Sequence, residues 1–156
     1  VLAEVYRYTK TADPLRPCID TSGNYHVVTD IFDIHDYEQD PKAFAAHYAG
    51  GPHITFGDRQ RYGGEPYMVS EYGGAGWGYG SDPRSEDEFA ARYEALTRTL
   101  MQTPCCCGFC YTQLYDVEQE RNGLFTYARK AKFSQKVYDR IRNVNTETAA
   151  IEKRLL

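Results

Sequence analysis

The sequence contains no uninterrupted apolar run of about 18 residues, the length that a membrane-spanning helix needs. Its first residues, VLAEVYRYTK, have neither an initiating methionine nor the charged-then-apolar order of a signal peptide. Lysine and arginine number 18 against 22 aspartates and glutamates, and the signs are interspersed, so there is no basic patch for phosphates. We therefore expect neither a membrane nor a nucleic acid as partner, and we expect the chain to be part of a longer one.

The cysteine content argues against a four-ligand zinc site and against a disulfide framework. There are five cysteines, an odd number, and four of them lie within Cys105–Cys110. Cys107 and Cys110 have the C-x-x-C spacing of zinc ligands, but no second pair follows to complete four ligands. Adjacent cysteines are poorly placed to pair, so we do not expect a dense disulfide framework. We predict a buried strand here, no metal and no cofactor, and the free thiols slightly favour a cytoplasmic location.

What the chain does contain is an alternation of strand and helix patterns. Strands are predicted at residues 29–37, 66–71 and 107–114, with a shorter one at residues 18–20. Helices are predicted in the first eight residues, after Asp40, after Ser85 and from about Ser134. N-capping side chains mark the start of the second and third of these helices. This order, in 156 residues with 42% hydrophobic content, predicts one domain with a parallel sheet built from crossover units.

Polar side chains fall near the carboxyl ends of the predicted strands. In the strand at residues 29–37, alternation places Asp33 and His35 on one face. In the next strand, the same alternation places Glu71 with Tyr67 and Val69. A carboxylate at the end of an apolar strand is the feature of the sequence that most calls for a functional explanation.

The last predicted strand repeats this arrangement, with Tyr111 and Gln113 opposite Cys110 and Leu114. Two architectures fit the alternation, a doubly wound open sheet and a part of an eight-stranded barrel. In a barrel, the polar faces converge on one axis at the mouth where barrel enzymes place their chemistry. In an open sheet they are spread along a row.

Four segments occur in an order that resembles the catalytic TIM barrel of glycoside hydrolase family two. They are DPLRP at 13–17, DIHDYEQDP at 33–41, SEYGG at 70–74 and YTQLYDVEQERNGLFTY at 111–127. The family contains β-galactosidases, β-glucuronidases and β-mannosidases. The resemblance implies an α/β fold, namely a partial (β/α)8 TIM barrel in which residues 1–156 supply strands five to eight with their helices. It also implies a β-galactosidase-like parent enzyme.

The mechanism that the resemblance implies is a retaining double displacement. A carboxylate at the end of strand seven attacks the anomeric carbon, and an acid at the end of strand four protonates the leaving oxygen. Glu71 matches the attacking carboxylate. The family's acid lies in an Asn-Glu pair, which this sequence lacks, so we expect the acid in an earlier part of a longer chain. The chain alone should then be nearly inactive and should associate with itself through open sheet edges.

The resemblance and the loop composition also suggest residues that bind a carbohydrate substrate. From the residues alone, Glu71 could equally be a solvated surface carboxylate, His35 a hydrogen-bonded core histidine and Trp77 an anchor of its glycine-rich loop. A non-catalytic carbohydrate-binding module is the alternative function, and an unrelated open-sheet protein is the third. The expected sugar contacts are His35, Asp36, Tyr111, Gln113 and Trp77.

Overall fold

The computed structural model describes residues 1–74 and 82–154, which form a three-stranded parallel sheet with helices. The three strands lie side by side in the order in which they occur along the chain. This arrangement confirms the α/β class and the parallel pairing. The elements are α1 (Leu2–Ala12), β1 (Phe32–Asp36), α2 (Pro41–Tyr48), β2 (Tyr67–Tyr72), α3 (Glu86–Gln102), β3 (Cys106–Tyr111), α4 (Gln135–Asn145) and a final 3-10 turn (Glu152–Arg154).

The short strand expected at residues 18–20 does not form, so that prediction was wrong. The backbone N–H of Cys18 donates to the Asp30 carboxylate at 2.8 Å, and the carbonyl of Cys18 accepts from the N–H of Asp30 at 2.9 Å. Asp30 also accepts hydrogen bonds from Tyr6 and Lys10 of α1 at 2.6 and 2.9 Å. Asp30 therefore satisfies both backbone groups of Cys18 without a strand partner.

Two helices begin where their capping residues predict. Asp40 accepts hydrogen bonds from the N–H groups of Lys42 and Ala43, both at 2.9 Å, and Pro41 occupies the first turn of α2. Ser85 caps α3 by accepting from the N–H of Glu88 at 3.2 Å. The Glu88 carboxylate accepts from Arg84 N–H, one residue before the cap, so only half of the predicted capping box forms.

The core has two parts, one on each side of α3. The first packs α2 and α3 against the sheet, and the second packs α4 against α3. Their burial follows from the 3.6-residue period of the helices, whose polar positions face solvent. The fully buried side chains that link the sheet to the helices include Ile34, Phe44, Tyr67, Val69, Tyr72, Leu96 and Leu100.

Among the described residues, no helix is both long and apolar enough to cross a membrane.

β2 contains a bulge at Ser70 that changes which side chains face the helices. Ile34 of β1 pairs with Val69, and the next residue of β1 pairs with Glu71, so Ser70 is extra. Tyr72 faces the helices, where its hydroxyl lies 2.8 Å from Thr97 Oγ1. Glu71 faces the other side. The expected common face for Glu71, Tyr67 and Val69 was therefore wrong, because simple alternation does not hold across a bulge.

Candidate active site

Glu71 lies at the carboxyl end of the central strand with one oxygen held in place. The Tyr37 hydroxyl donates a hydrogen bond to Oε2 of Glu71. His35 Nδ1 lies 3.3 Å from the same oxygen, and the Glu71 side chain is 35% exposed. Tyr37 was not among the expected site residues. Its position two residues after His35 was the available signal, because side chains two apart in an extended chain share a face.

His35 connects Glu71 to the loop that precedes β1. Its Nε2 lies 3.2 Å from Ser22 Oγ, so each ring nitrogen has a polar neighbour. The tautomer of His35 decides whether Nε2 donates to the serine hydroxyl or accepts from it. The ring also packs on Gly23, where an added Cβ would lie 2.0 Å from a ring carbon. The structure thus places His35 beside Glu71 and fixes its ring on both sides.

Beneath this pair, a buried chain of polar groups holds the Ser22 loop against the sheet. Asp33 is 1% exposed, and its Oδ2 accepts from the Gly23 N–H at 2.8 Å and from the Ser70 hydroxyl. His26 lies between the carbonyl of Asp33, at 2.7 Å, and Oδ1 of Asp20, at 2.6 Å. Burial acts to raise the pKa of Asp20, but hydrogen bonds from His26 and two backbone N–H groups hold it below its ordinary value.

Asp36 does not join this site, contrary to expectation. Its side chain points to the helices, since strand alternation sends neighbours to opposite faces. Oδ2 of Asp36 accepts from Tyr48 OH at 3.0 Å and lies 2.8 Å from His47 Nδ1. Oδ1 accepts from the N–H of Glu38 at 3.1 Å. These contacts occupy the carboxylate on the face opposite Glu71.

Tyr111 is also placed differently from the expected aromatic platform. Its ring contacts Tyr72, with centroids 5.8 Å apart, and Tyr93 of α3, at 5.0 Å. Its hydroxyl is buried, and burial raises the pKa of that hydroxyl above its ordinary value. The half-buried ring is part of the packing between β3 and α3 and does not stand out as an exposed platform.

The other two expected sugar contacts have separate outcomes. Gln113 uses its amide nitrogen within the segment after β3, where it donates to Asn122 Oδ1 at 2.9 Å and to Glu120 Oε2 at 3.1 Å. These bonds order that segment. Trp77 lies outside the described residues.

The arrangement around Glu71 suits a carboxylate that reacts through one of its oxygens. Oε2 is held by Tyr37, whereas Oε1 has no hydrogen bond from any residue within 1–74 and 82–154. An oriented, partly exposed carboxylate is the geometry that nucleophilic attack needs. In the same described ranges, the one group of side chains spaced to hold a metal ion is Asp36, His47 and His53, on the opposite face.

Comparison with known proteins gives matches among solved structures only. No protein-family model matches the sequence, and no curated protein matches it. The chain is similar to the Faecalibacterium prausnitzii β-glucuronidase, with a TM-score of 0.62 at 20% identity over 94% of this chain and 28% of that one. It is similar to a GH2 β-galacturonidase from Eisenbergiella tayi bound to galacturonate, with a TM-score of 0.62, 16% identity and coverage of 94% and 30%.

A third solved structure is similar to this chain to the same degree. The β-D-glucuronidase of Dictyoglomus thermophilum matches with a TM-score of 0.63 at 17% identity, over 94% of this chain and 29% of that one. The chain spans less than a third of the length of each of these three structures. At these identities the likeness concerns the fold, and the chain therefore has the fold of a segment of these glycoside-cleaving enzymes.

Proposed function

We propose that residues 1–156 form the carboxyl half of the catalytic TIM barrel of a retaining β-glycosidase, with Glu71 as nucleophile. The observation that carries the proposal is the placement of Glu71 at the end of the central strand, with Oε2 held by Tyr37 and with no hydrogen bond to Oε1 from residues 1–74 and 82–154. The solved structures with this fold, which are named as β-glucuronidases and a β-galacturonidase, support it.

In the proposed reaction, Oε1 of Glu71 attacks the anomeric carbon while the bond to the leaving oxygen breaks. The leaving oxygen takes a proton from a second acid, about 5 Å from Glu71 in a retaining enzyme. Asp33 does not suit this role because it is 1% exposed and its Oδ2 accepts two hydrogen bonds. We assign the acid to an earlier part of a longer chain. Water then releases the sugar from Glu71.

The substrate class we propose is a terminal β-glycoside. A β-galactoside is the expectation from the sequence, and the names of the matched structures add β-glucuronides and β-galacturonides. The two uronides carry a carboxylate at C6 that the galactoside lacks, and sites recognise such a carboxylate with arginine or lysine. The two uronides differ from each other in the configuration at C4. A panel of aryl β-galactoside, β-glucuronide and β-galacturonide, offered to the longer enzyme, distinguishes them.

The test replaces Glu71 in the complete enzyme. Glu71→Gln keeps the size of the side chain but removes the nucleophile, so turnover should fall by several orders of magnitude while the fold remains. Tyr37→Phe removes one hydrogen bond to a charged group, worth about 1.5–3 kcal/mol, and should lower turnover about 10- to 150-fold. Glu65→Gln, just before the other end of β2, is the matched control and should leave turnover unchanged.

A fluorosugar that traps the glycosyl-enzyme identifies the attacking group directly. We expect the label on Glu71 in the unaltered enzyme and no label in Glu71→Gln. Near-full turnover in Glu71→Gln, or a label on another residue, would remove Glu71 from the mechanism. Sugar binding without turnover in the unaltered complete enzyme would instead support a carbohydrate-binding module.

A further inference from the structure

A second polar cluster, formed by Asp36, His47 and His53, lies on the face of β1 opposite Glu71. Each of the three side chains offers one ligand atom, and these atoms lie within 4.8 Å of one another. Asp36 is buried, whereas His47 is 33% exposed and gives the cluster access to solvent. The mechanism proposed above uses none of these side chains.

The fold brings the three residues together from separate segments. Asp36 ends β1, His47 lies in the last turn of α2, and His53 follows in the loop after that helix. The loop is tied to the sheet, because the buried Tyr67 hydroxyl donates to the carbonyl of His53 at 2.9 Å. Each candidate ligand is therefore on, or anchored to, a regular element.

The two imidazole rings are arranged as a close pair. Their centroids are 4.5 Å apart and their planes differ by 15°. A neutral imidazole has the nitrogen lone pair that binds a metal. Within the described ranges, no hydrogen bond joins the His53 ring to another residue, so nothing there competes for its nitrogens.

The carboxylate has the supporting contacts that metal ligands usually have. Tyr48 donates to Oδ2 of Asp36 at 3.0 Å, and the N–H of Glu38 donates to Oδ1 at 3.1 Å. Such outer partners orient the ligands and affect metal affinity.

We propose that Asp36, His47 and His53 bind a divalent transition-metal ion of the Zn²⁺ type, with water as a further ligand. Two imidazoles and one carboxylate match zinc, whereas Ca²⁺ and Mg²⁺ prefer oxygen ligands alone. Ligand atoms of a tetrahedral zinc site lie about 3.3 Å apart, and the ion lies in the plane of each imidazole that binds it. The stacked rings of His47 and His53 therefore turn out of their nearly parallel arrangement when both bind one ion. Where His47 binds through Nδ1, the proton now facing Asp36 moves to Nε2 and the ring stays neutral.

The bound ion would tie the end of β1 to α2 and to the loop after it. Asp36 lies between His35 and Tyr37, the two residues that contact Glu71. The proposal rests on the cluster of Asp36, His47 and His53. It does not depend on the glycosidase activity, because its readout is metal binding and thermal stability.

The test must separate this cluster from the cysteines, since Cys107 and Cys110 are exposed and thiolates are zinc ligands in general. We would measure Zn²⁺ binding by equilibrium dialysis in the Cys107→Ser/Cys110→Ser chain. One equivalent should bind and raise the melting temperature. His53→Gln in that background should weaken binding at least about 100-fold and abolish the rise, because it removes a ligand. Tyr48→Phe should weaken binding about 10-fold, as loss of an outer partner does.

His35→Gln is the matched control, since it removes a histidine of the same strand that faces away from the cluster, and Zn²⁺ binding should persist. Each variant is first melted without metal, so that a folding defect is recognised. Co²⁺ spectra of the unaltered chain provide a measurement that needs no variant. Absence of binding, binding that survives His53→Gln, or a thiolate charge-transfer band as the sole Co²⁺ signal would overturn the proposal.

Discussion

Gly73→Ala should be among the most destabilising single-methyl additions in this chain. Gly73 directly follows β2 with φ at +79°, and an added Cβ would lie 2.4 Å from Cε2 of the Tyr111 ring. The left-handed backbone costs a residue with a Cβ about 1–2 kcal/mol. Overpacking costs about 1–3 kcal/mol more, because Tyr72 and Tyr93 contact the Tyr111 ring and leave it little room to move. The free energy of unfolding should fall by about 2–5 kcal/mol.

Alanine substitutions at two other glycines separate the cost of the left-handed backbone from the cost of overpacking. Gly64 has φ at +101° but no heavy atom within 4 Å of an added Cβ, so Gly64→Ala should cost only about 1–2 kcal/mol. Gly108, inside β3, has its nearest such neighbour at an ordinary 3.7 Å, in Met68. Gly108→Ala should stabilise the strand by about 0.5–1 kcal/mol.

Urea unfolding followed by circular dichroism gives the midpoint and slope for each variant. We expect the order of stability Gly108→Ala, unaltered chain, Gly64→Ala, Gly73→Ala, with similar slopes. If Gly73→Ala loses less than about 1 kcal/mol, or no more than Gly64→Ala, the Tyr111 contact is not the constraint described above.

Three further properties can be measured on the isolated chain. Iodoacetamide should modify exposed Cys107 and Cys110 before Cys106, because burial raises the Cys106 pKa to about 11; equal rates by mass spectrometry would contradict this. Hydrogen bonds, above all from Tyr6, lower the pKa of Asp30 from 3.8 to about 2, so its stabilising contribution is complete above pH 3.8 and is lost as pH falls through 2. Asp30→Asn should lack that part of the acid dependence in unfolding experiments. The outer edges of β1 and β3 have no strand partner among the described residues, so light scattering should detect self-association; a stable monomer would refute this.

Local signals were enough to predict most helices. The Asp40 and Ser85 caps, followed by apolar residues at helical spacing, predicted α2 and α3, and α2 begins and ends as its pattern indicates. α1 runs to Ala12, beyond the eight residues assigned to it, because no proline occurs before Pro14 to end it. These features depend on residues close together in the chain.

The parallel pairing was predicted, but the register of that pairing and the tertiary contacts of single side chains were not. The bulge at Ser70 exists only in relation to β1, and the packing of Tyr111 depends on α3. The orientation of Asp36 is a different case. Alternation alone places Asp36 opposite His35, yet the resemblance to a sugar-binding segment assigned both to one site. For Asp36, the two-residue period of side chains along a strand predicted the orientation correctly, and the family resemblance did not.

The extra residue in β2 has a consequence for how this chain can be compared and altered. Without Ser70, the side chains of Val69, Glu71 and Tyr72 would follow simple alternation and keep their present faces, whereas loss of Val69 would turn a polar side chain toward the helices. Ser70 is thus the position of this strand where a deletion should be tolerated best. An alignment to a relative with a regular strand must open a gap inside a buried element, or it will pair Glu71 with a residue of the opposite face.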